Sequence, residues 1–187
     1  MIDFSRLITM CLLALLLSAC ANQGANVAEQ RTAVQKMKDD TLTKLFKQKP
    51  HTRAQIRSAA GFAVFSNASV NLFVASVGGG QGMVKNNQSG AITYMKMGEL
   101  GVGFGLGVKD FRIVMVFDNK KTMDSFVDKG WVFGAQADAA AKASNKGSAI
   151  GAEAVVNGIT IYQMTESGLA LQALVKGAKF WRNEALN

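Results

Sequence analysis

The chain has few of the residues from which catalytic and metal sites are usually built. It contains one histidine, one proline and two cysteines among 187 residues, and both cysteines, Cys11 and Cys20, lie near the N-terminus. The rest of the chain can form no disulfide and offers no thiol nucleophile, so its stability must come from packing. A single histidine, His51, cannot supply the several ligands of a zinc site. We therefore expect no metal and no other cofactor.

Catalytic residues also fail to form a recognisable set. Asp39 and Asp40 are neighbours on a predicted helix and point about 100° apart, so they do not make a general acid–base pair. His51 lies between Pro50 and Thr52, as an exposed loop residue does. No serine, histidine and aspartate can be assembled around a strand–turn–helix nucleophile. We predict that the protein is not an enzyme.

Acidic residues are outnumbered. The chain has 21 Lys and Arg against 13 Asp and Glu, which gives a formal net charge of +8. Such a charge favours an anionic partner, for example phospholipid headgroups, lipopolysaccharide or another acidic polymer. Nucleic acid fits poorly, because the aromatic residues lie within apolar alternation and not between basic residues, where they would stack on bases. Solubility alone is the simple alternative reading of the charge.

The N-terminus has the order of a secretory signal. Arg6 precedes an apolar run over residues 10–17, which is too short to span a bilayer as a helix. A basic end, a short apolar core and then small residues are typical of a signal peptide. Residues 1–19 are therefore predicted to be removed from the mature protein.

The end of that segment, Leu17-Ser18-Ala19-Cys20, resembles the lipobox of bacterial lipoproteins. The resemblance implies cleavage before Cys20 and attachment of acyl chains, such as palmitate, to that residue. Because Ala21 and not Asp follows, analogy with Gram-negative sorting favours the outer membrane, with the domain facing the periplasm or the surface. A plain signal peptide with a chance cysteine is the alternative. Residues 20–26 are then a lipidated, flexible tether, and residues 27–187 form one domain.

Helices are predicted at the start of this domain. Residues 27–48 show a 3.6-residue apolar period, and Lys49-Pro50 ends the pattern because the residue before proline avoids the helical region. A second short helix follows over residues 52–60. The apolar face of the first helix consists of Val34, Met37, Leu42, Leu45 and Phe46.

From Gly61 the apolar period changes to two, which predicts strands. Short connections and the absence of βαβ alternation favour an antiparallel sheet. The predicted fold is α+β: a twisted antiparallel sheet system with N-terminal helices and one inserted helix. A barrel-like closure of the sheet is one alternative that the sequence allows. Strands are predicted at residues 62–65, 70–77, 83–84, 91–97, 99–109, 111–117, 131–139, 158–164 and 168–176, a tight connection at Lys109-Asp110, and the inserted helix at residues 120–129.

Glycine alternates with bulky residues over residues 101–108. In one continuous strand this would leave one face without side chains, at a cost of up to about 1 kcal/mol for each interior glycine. We favour a structural reason, the close approach of another strand, helix or ring, over a bound ligand.

Several segments, in their order and spacing, resemble the SYLF-domain family, and together they cover nearly all of residues 27–183. The matching stretches are residues 60–65, 77–82, 101–107 and 111–117, a helix with Phe126, Gly130-Trp131, Tyr162, residues 168–171 and Gly177.

The resemblance implies binding of acidic phospholipids and phosphoinositides, with actin binding in eukaryotic members and an N-terminal amphipathic basic helix at the membrane in several. Bacterial members are commonly secreted or lipoproteins. One departure is that Lys176 stands before Gly177, where the family often has Glu.

Basic residues are concentrated in two short stretches, which are the candidate headgroup-binding sites. The alternative for each is an ordinary solvated surface. The first group is Lys36, Lys38, Lys44, Lys47, Lys49, Arg53 and Arg57; the second is Lys176, Lys179 and Arg182.

We therefore predict a membrane-anchored lipoprotein whose SYLF-like domain binds acidic phospholipids or phosphoinositides through a basic surface. The alternative is a structural or protein-interaction module of the envelope that uses lipid only as a tether, with an unknown protein partner. A third possibility is carriage of an apolar ligand inside a barrel.

Overall fold

The computed structural model describes residues 26–73, 75–101, 105–132, 153–165, 168–169 and 178–187. The predicted signal segment, Cys20 and Lys176 lie outside these ranges. The α-helices in the described part are α1 (Val27–Gln48), α2 (Thr52–Ser58) and α3 (Lys120–Lys129), and a 3₁₀ turn, Glu184–Leu186, lies near the C-terminus.

The two longer helices begin where their caps require. The Asn26 side chain accepts a hydrogen bond from the backbone N–H of Glu29 at 3.0 Å, and the Asn119 side chain accepts one from Thr122 at 2.9 Å. Each bond satisfies a backbone donor that has no partner within the helix. The predicted bounds of both helices are confirmed.

Antiparallel strands form one large sheet. Along the sheet their order is β5-β9-β3-β2-β1-β4-β7-β6, and β8 pairs with β7 off this path. The predicted α+β antiparallel fold is confirmed. The strands are β1 (Gly61–Phe73), β2 (Ala75–Asn86), β3 (Ile92–Gly101), β4 (Gly105–Phe117), β5 (Trp131–Val132), β6 (Glu153–Val156), β7 (Ile159–Thr165), β8 (Gly168–Leu169) and β9 (Ala178–Arg182).

The sheet lies between two layers of helix. On one side, called here the α1 face, Leu45 of α1 and Ile56 of α2 pack against the strands. On the other side, the α3 face, Phe126 of α3 packs into the larger hydrophobic cluster. In that cluster the rings of Phe65 and Phe180 lie 4.8 Å apart and those of Phe126 and Phe180 lie 5.5 Å apart.

The C-terminal segment belongs to the sheet. Phe180 of β9 is 1% exposed and packs in the core, whereas its neighbour Trp181 is 38% exposed. All residues of the three hydrophobic clusters fall between Val34 and Leu186. The chain from Ala21 onward thus contains the whole described core.

The barrel-like form is wrong. In the described part of the chain, β5 and β6 lie at the two ends of the strand path and do not pair with each other, so the sheet is open. Helices cover its faces in place of closure, which is how an open sheet with two apolar faces is buried.

Two strand predictions are also wrong. Residues 70–77 are not one strand, because β1 ends at Phe73 and β2 begins at Ala75. Residues 99–109 are not one strand either, since β3 ends at Gly101 and β4 begins at Gly105 on the other side of the β1–β2 hairpin. Lys109-Asp110 is part of β4 and not a turn. Apolar alternation continues through both chain reversals with no polar turn residue, so the period alone does not reveal them.

Other predictions are tested only in part. The glycine-alternating segment, residues 101–108, is not one continuous strand, because Gly101 ends β3 and Gly105 begins β4. Residues 102–104 lie outside the described residues. β5 and β8 begin where strands were predicted, and the remainder of residues 131–139 and 168–176 is likewise not described.

Close approach of strands does explain glycines elsewhere, in β2. A Cβ on Gly82 would overlap the carbonyl oxygen of Val64 in β1 and would lie 2.5 Å from a ring carbon of Phe65. A Cβ on Gly80 would overlap the carbonyl oxygen of Ser66. Only glycine lets β1 and the Phe65 ring lie this close to β2.

We predict that Gly82→Ala destabilises the protein by about 1–3 kcal/mol, as overpacking of a core does. The measurement is the urea midpoint of the chain from Ala21 onward. Gly79→Ala is the matched control in the same strand, because the nearest atom to its Cβ is the Met97 carbonyl oxygen at 4.0 Å. An equal loss of stability in both variants would contradict the close-approach explanation.

Candidate functional site

The exposed side of α1 carries a line of charged residues at a spacing of four. Lys36, Asp40 and Lys44 follow one another at i, i+4 and i+8 and therefore lie on one side of the helix. The Lys36 ammonium donates to the Asp40 carboxylate at 2.6 Å. This hydrogen bond, aided by the charge of Asp40, raises the pKa of Lys36 above its ordinary value.

A groove of about 320 Å³ separates this line from the sheet and is called here the α1 groove. Two charged residues of β4, Asp110 and Arg112, lie on its other side, and the Arg112 guanidinium donates to the Asp110 carboxylate. The remaining lining residues are Ala33, Met37, Thr41, Phe111 and Met164. The groove thus combines three cations, two carboxylates and an apolar floor.

Lys44 is the cation of this groove that has no carboxylate partner among the described residues. Lys36 and Arg112 each have a carboxylate partner, while Lys44 makes no ion pair with any residue that the structure describes. Lys44 is exposed. An anion entering the groove would therefore meet Lys44 without having to displace a carboxylate.

Not all of the predicted first group reaches the groove. Lys38 is turned inward, with its side chain 16% exposed and an ion pair to Asp39 at 2.7 Å. The Lys49 ammonium lies 5.5 Å from the centre of the Tyr162 ring, and the Arg53 guanidinium lies 4.5 Å from that of Phe46. These contacts tie the helices to each other and to the sheet.

The last members of this group are exposed. Lys47 lies in the final turn of α1 and Arg57 in that of α2, where a cation interacts favourably with the helix dipole. Of the seven predicted basic residues, the structure therefore brings Lys36 and Lys44 together at the groove.

The second predicted group lies at β9. Lys179 and Arg182 are exposed on either side of Trp181, and they line a groove of about 610 Å³ between β9 and α3. Lys129 and Trp131 line the same groove. This groove is separate from the α1 groove, so the two predicted groups do not form one site.

Sequence reasoning missed Arg112 and Lys96. Strand register places Arg112 level with Ser66 of β1, Gln81 of β2, Lys96 of β3 and Trp181 of β9, and paired residues share one face of the sheet. The signal that could have found Arg112 is the alternation in β4, in which Asp110, Arg112, Val114 and Val116 share the α1 face. Predicting a turn at Lys109-Asp110 hid it.

The predicted lack of catalytic activity and of a bound metal stays a prediction. In the part of the chain that the structure describes, no three His, Cys, Asp or Glu side chains come together as metal ligands would. His51 is exposed at the start of α2. None of the described helices combines the length and apolar character needed to cross a bilayer.

Two comparisons identify relatives. Residues 98–187 match the family described as "Ysc84: Las17-binding protein actin regulator". The chain is also 34% identical, over 158 residues, to Beta cell expansion factor A of Aeromonas veronii. That similarity covers 84% of this chain and spans 59% of the relative's length.

We predict that Asp40→Asn lowers the pKa of Lys36 toward its ordinary value of 10.5. NMR titration of the lysine side chains measures the shift. Because the folded pKa is the higher one, the pair stabilises the folded state at lower pH and this contribution is lost as the pH rises through that value. The contribution is small because the pair is exposed. Asp39→Asn is the control, and an equal fall in the pKa of Lys36 there would contradict the assignment.

Proposed function

The chain belongs to the SYLF-domain family, and on that premise we propose that it binds acidic phospholipids or phosphoinositides at a bacterial envelope membrane. The α1 groove and its cations bind the anionic headgroups, and acyl chains on Cys20 hold the protein at the membrane. The resemblance to SYLF domains supports the class of ligand, and the groove supports the location.

The observation that carries the proposal is the convergence of Lys36, Lys44 and Arg112 around one apolar-floored groove. Ligand pockets typically combine an apolar lining with a few placed polar groups and begin at about 300 Å³, which this groove meets. Arg112 presents a planar fork that matches a phosphate in two places, while the lysines act as mobile point charges. Met37 and Met164 offer apolar surface to the first carbons of a lipid.

Charge supplies the attraction to the membrane as a whole. Each basic residue close to an anionic surface contributes about 1 kcal/mol, and the attraction decays within a Debye length. With a formal net charge of +8, the domain is drawn to anionic bilayers before any specific contact forms.

The anchor explains how the domain stays near the membrane. Each buried CH₂ contributes about 0.8 kcal/mol, and two or more chains give stable attachment where a single chain does not. Cys20 and the α1 cap at Asn26 are six positions apart in the sequence, so the tether reaches at most about 20 Å. The start of α1, and with it the groove, is therefore held close to the headgroups. The predicted location is the outer membrane.

A protein partner is the second candidate. The matching family is described by binding of Las17 and regulation of actin. If that property extends to this chain, it would act as an interaction module of the envelope, with lipid serving only as the tether. Its expected sign is a stable protein partner in crosslinking without headgroup preference.

Vesicle flotation tests the groove. Binding of the chain from Ala21 onward should rise with the anionic fraction of the lipid and weaken with salt. Replacing Lys36, Lys44 and Arg112 together by Ser should lower the affinity by about 100-fold, at about 1 kcal/mol for each charge. The urea midpoint of the triple variant, measured as for Gly82→Ala, shows whether its fold is retained.

A second triple variant is the control, with Ser at Lys120, Lys121 and Lys129 of α3 on the opposite face. It removes the same charge from the chain. An equal loss of affinity in the two triple variants would mean that net charge, and not the α1 groove, determines binding. Binding that depends on neither anionic lipid nor salt would overturn the proposal of headgroup binding itself.

The anchor has its own test. We expect the N-terminal peptide of the protein purified from a Gram-negative envelope to begin at Cys20 and to carry the mass of its acyl chains. Cys20→Ala should abolish the modification and release the protein from the membrane fraction. Recovery of an unmodified Cys20 would overturn the anchor while leaving headgroup binding standing.

A further inference from the structure

Two apolar residues near one end of the sheet are exposed. Strand register pairs Val77 of β2 with Leu100 of β3, so their side chains lie side by side on the α1 face. Val77 is 52% exposed and Leu100 is 68% exposed. Single exposed apolar residues are ordinary, whereas an adjacent pair at the end of two long strands forms a patch.

The sequence around this pair is almost free of charge. The ends of β1 and β3 and the beginnings of β2 and β4 meet there, and they are called here the sheet tip: residues 70–73, 75–79, 98–101 and 105–108. Residues 61–84 and 100–108 contain no Asp, Glu, Lys, Arg or His. Charged side chains on exposed strands discourage association with other molecules, and the sheet tip has one such residue.

Glu99 is the one charged residue within the sheet tip, and it is directed to the other face. Its carboxylate accepts a hydrogen bond at 2.7 Å from the side chain of Asn67, which is 1% exposed. The bond crosses β2 above Gly78 and Gly80, where no side chain intervenes. The charge of Glu99 is thereby kept off the face that carries Val77 and Leu100.

Cations border the sheet tip on that face. Arg112 and Lys96 lie in one row across four strands, called here the cation row, with Ser66 and Gln81 between them. Lys179, opposite Gly98, lies one step nearer the tip. Between the cation row and the apolar pair lies one further row, in which the exposed Asp110 of β4 is level with Ala68, Gly79 and Gly98, and the Trp181 ring lies against Gly98.

The spacing matches the depth of a bilayer surface. Four residues separate Gln81 in the cation row from Val77, which at about 3.3 Å per residue is about 13 Å. The headgroup layer on one side of a bilayer is about 5–8 Å thick. When the cation row lies level with the phosphates, Val77 and Leu100 reach past the headgroups to the acyl chains.

We propose that the sheet tip inserts shallowly into an anionic bilayer, with Val77 and Leu100 at the acyl boundary and Arg112, Lys96 and Lys179 at the phosphates. The inference rests on the proposed function in taking a bilayer as the partner, and it adds the part of the domain that enters it. Charge complementarity favours this occupant, because the cation row lies on the same face as the apolar pair and a second copy packed face to face would bring its own cations against it.

A depth probe tests the insertion directly. The chain from Ala21 onward has no cysteine, so Leu100→Cys gives one site for an environment-sensitive fluorophore. On vesicles of phosphatidylglycerol and phosphatidylcholine we expect a blue-shifted emission that a quencher on the lipid acyl chain reduces. The control is Gln88→Cys, an exposed residue of the β2–β3 turn at the opposite end of the sheet, whose label should stay in water.

A variant pair tests the energetics. Val77→Ser with Leu100→Ser should lower vesicle affinity by about tenfold, the loss expected for part of two apolar side chains. Its salt dependence should stay unchanged because every cation remains. Val155→Ser is the matched control, since Val155 is 64% exposed but lies near the other end of the sheet.

The outcomes separate this proposal from the proposed function. Salt-sensitive binding to anionic vesicles, without acyl quenching at position 100, would overturn insertion and leave headgroup binding standing. Absence of vesicle binding in any form would overturn both. Concentration-dependent dimers that the Val77 and Leu100 substitutions abolish, with no quenching, would overturn insertion in favour of self-association.

Discussion

The close approach of β1 to β2 is the contact on which the rest of the sheet depends. Backbone atoms of Val64 and Ser66 occupy the space where Gly82 and Gly80 would carry a Cβ, and the Phe65 ring lies against Gly82. That ring packs in turn on Phe180 of β9 and Phe126 of α3. The same absence of side chains lets Asn67 reach Glu99 across β2, which fixes β1 relative to β3. The lack of side chains at the glycines of β2 therefore helps to determine the positions of β9, β3 and α3.

Local signals predicted the helices correctly and failed at two reversals of the chain. The apolar period lies within α1 and Pro50 lies just past its end, and the caps that the structure shows at Asn26 and Asn119 adjoin their helices, so this information is contiguous in sequence. The β1–β2 reversal and the passage from β3 to β4 have no such marker, because small and apolar residues continue through them. Register then depends on the pairing of distant residues, such as Leu72 opposite Leu106, which a period of two cannot specify.

The residues of the candidate site also divide into those that local sequence reveals and those that only strand pairing brings together. Lys36 and Lys44 could be found from the sequence because helical spacing alone places them together. Arg112 and Lys96 could not, since they reach this surface only through the pairing of four strands. Lys38, Lys49 and Arg53 show the converse: they have the right charge, but Asp39, Tyr162 and Phe46 already contact them. Lys36 and Arg112 also have carboxylate partners, but they line the α1 groove, so the position that the fold gives a basic residue decides whether it belongs to the site.

The position of α1 connects the two membrane proposals. Its buried side is fixed at one end by Val34 against Tyr94 and at the other by Leu45 near Tyr162, so the helix covers only the half of its face nearest the β2–β3 turn. The half that α1 leaves uncovered carries the cation row, then a row formed by Asp110, Ala68, Gly79 and Gly98, and then the apolar pair. Packing the helix and leaving the tip free of it are therefore two results of one arrangement, in which charges of α1 border the remaining half of the face along the α1 groove.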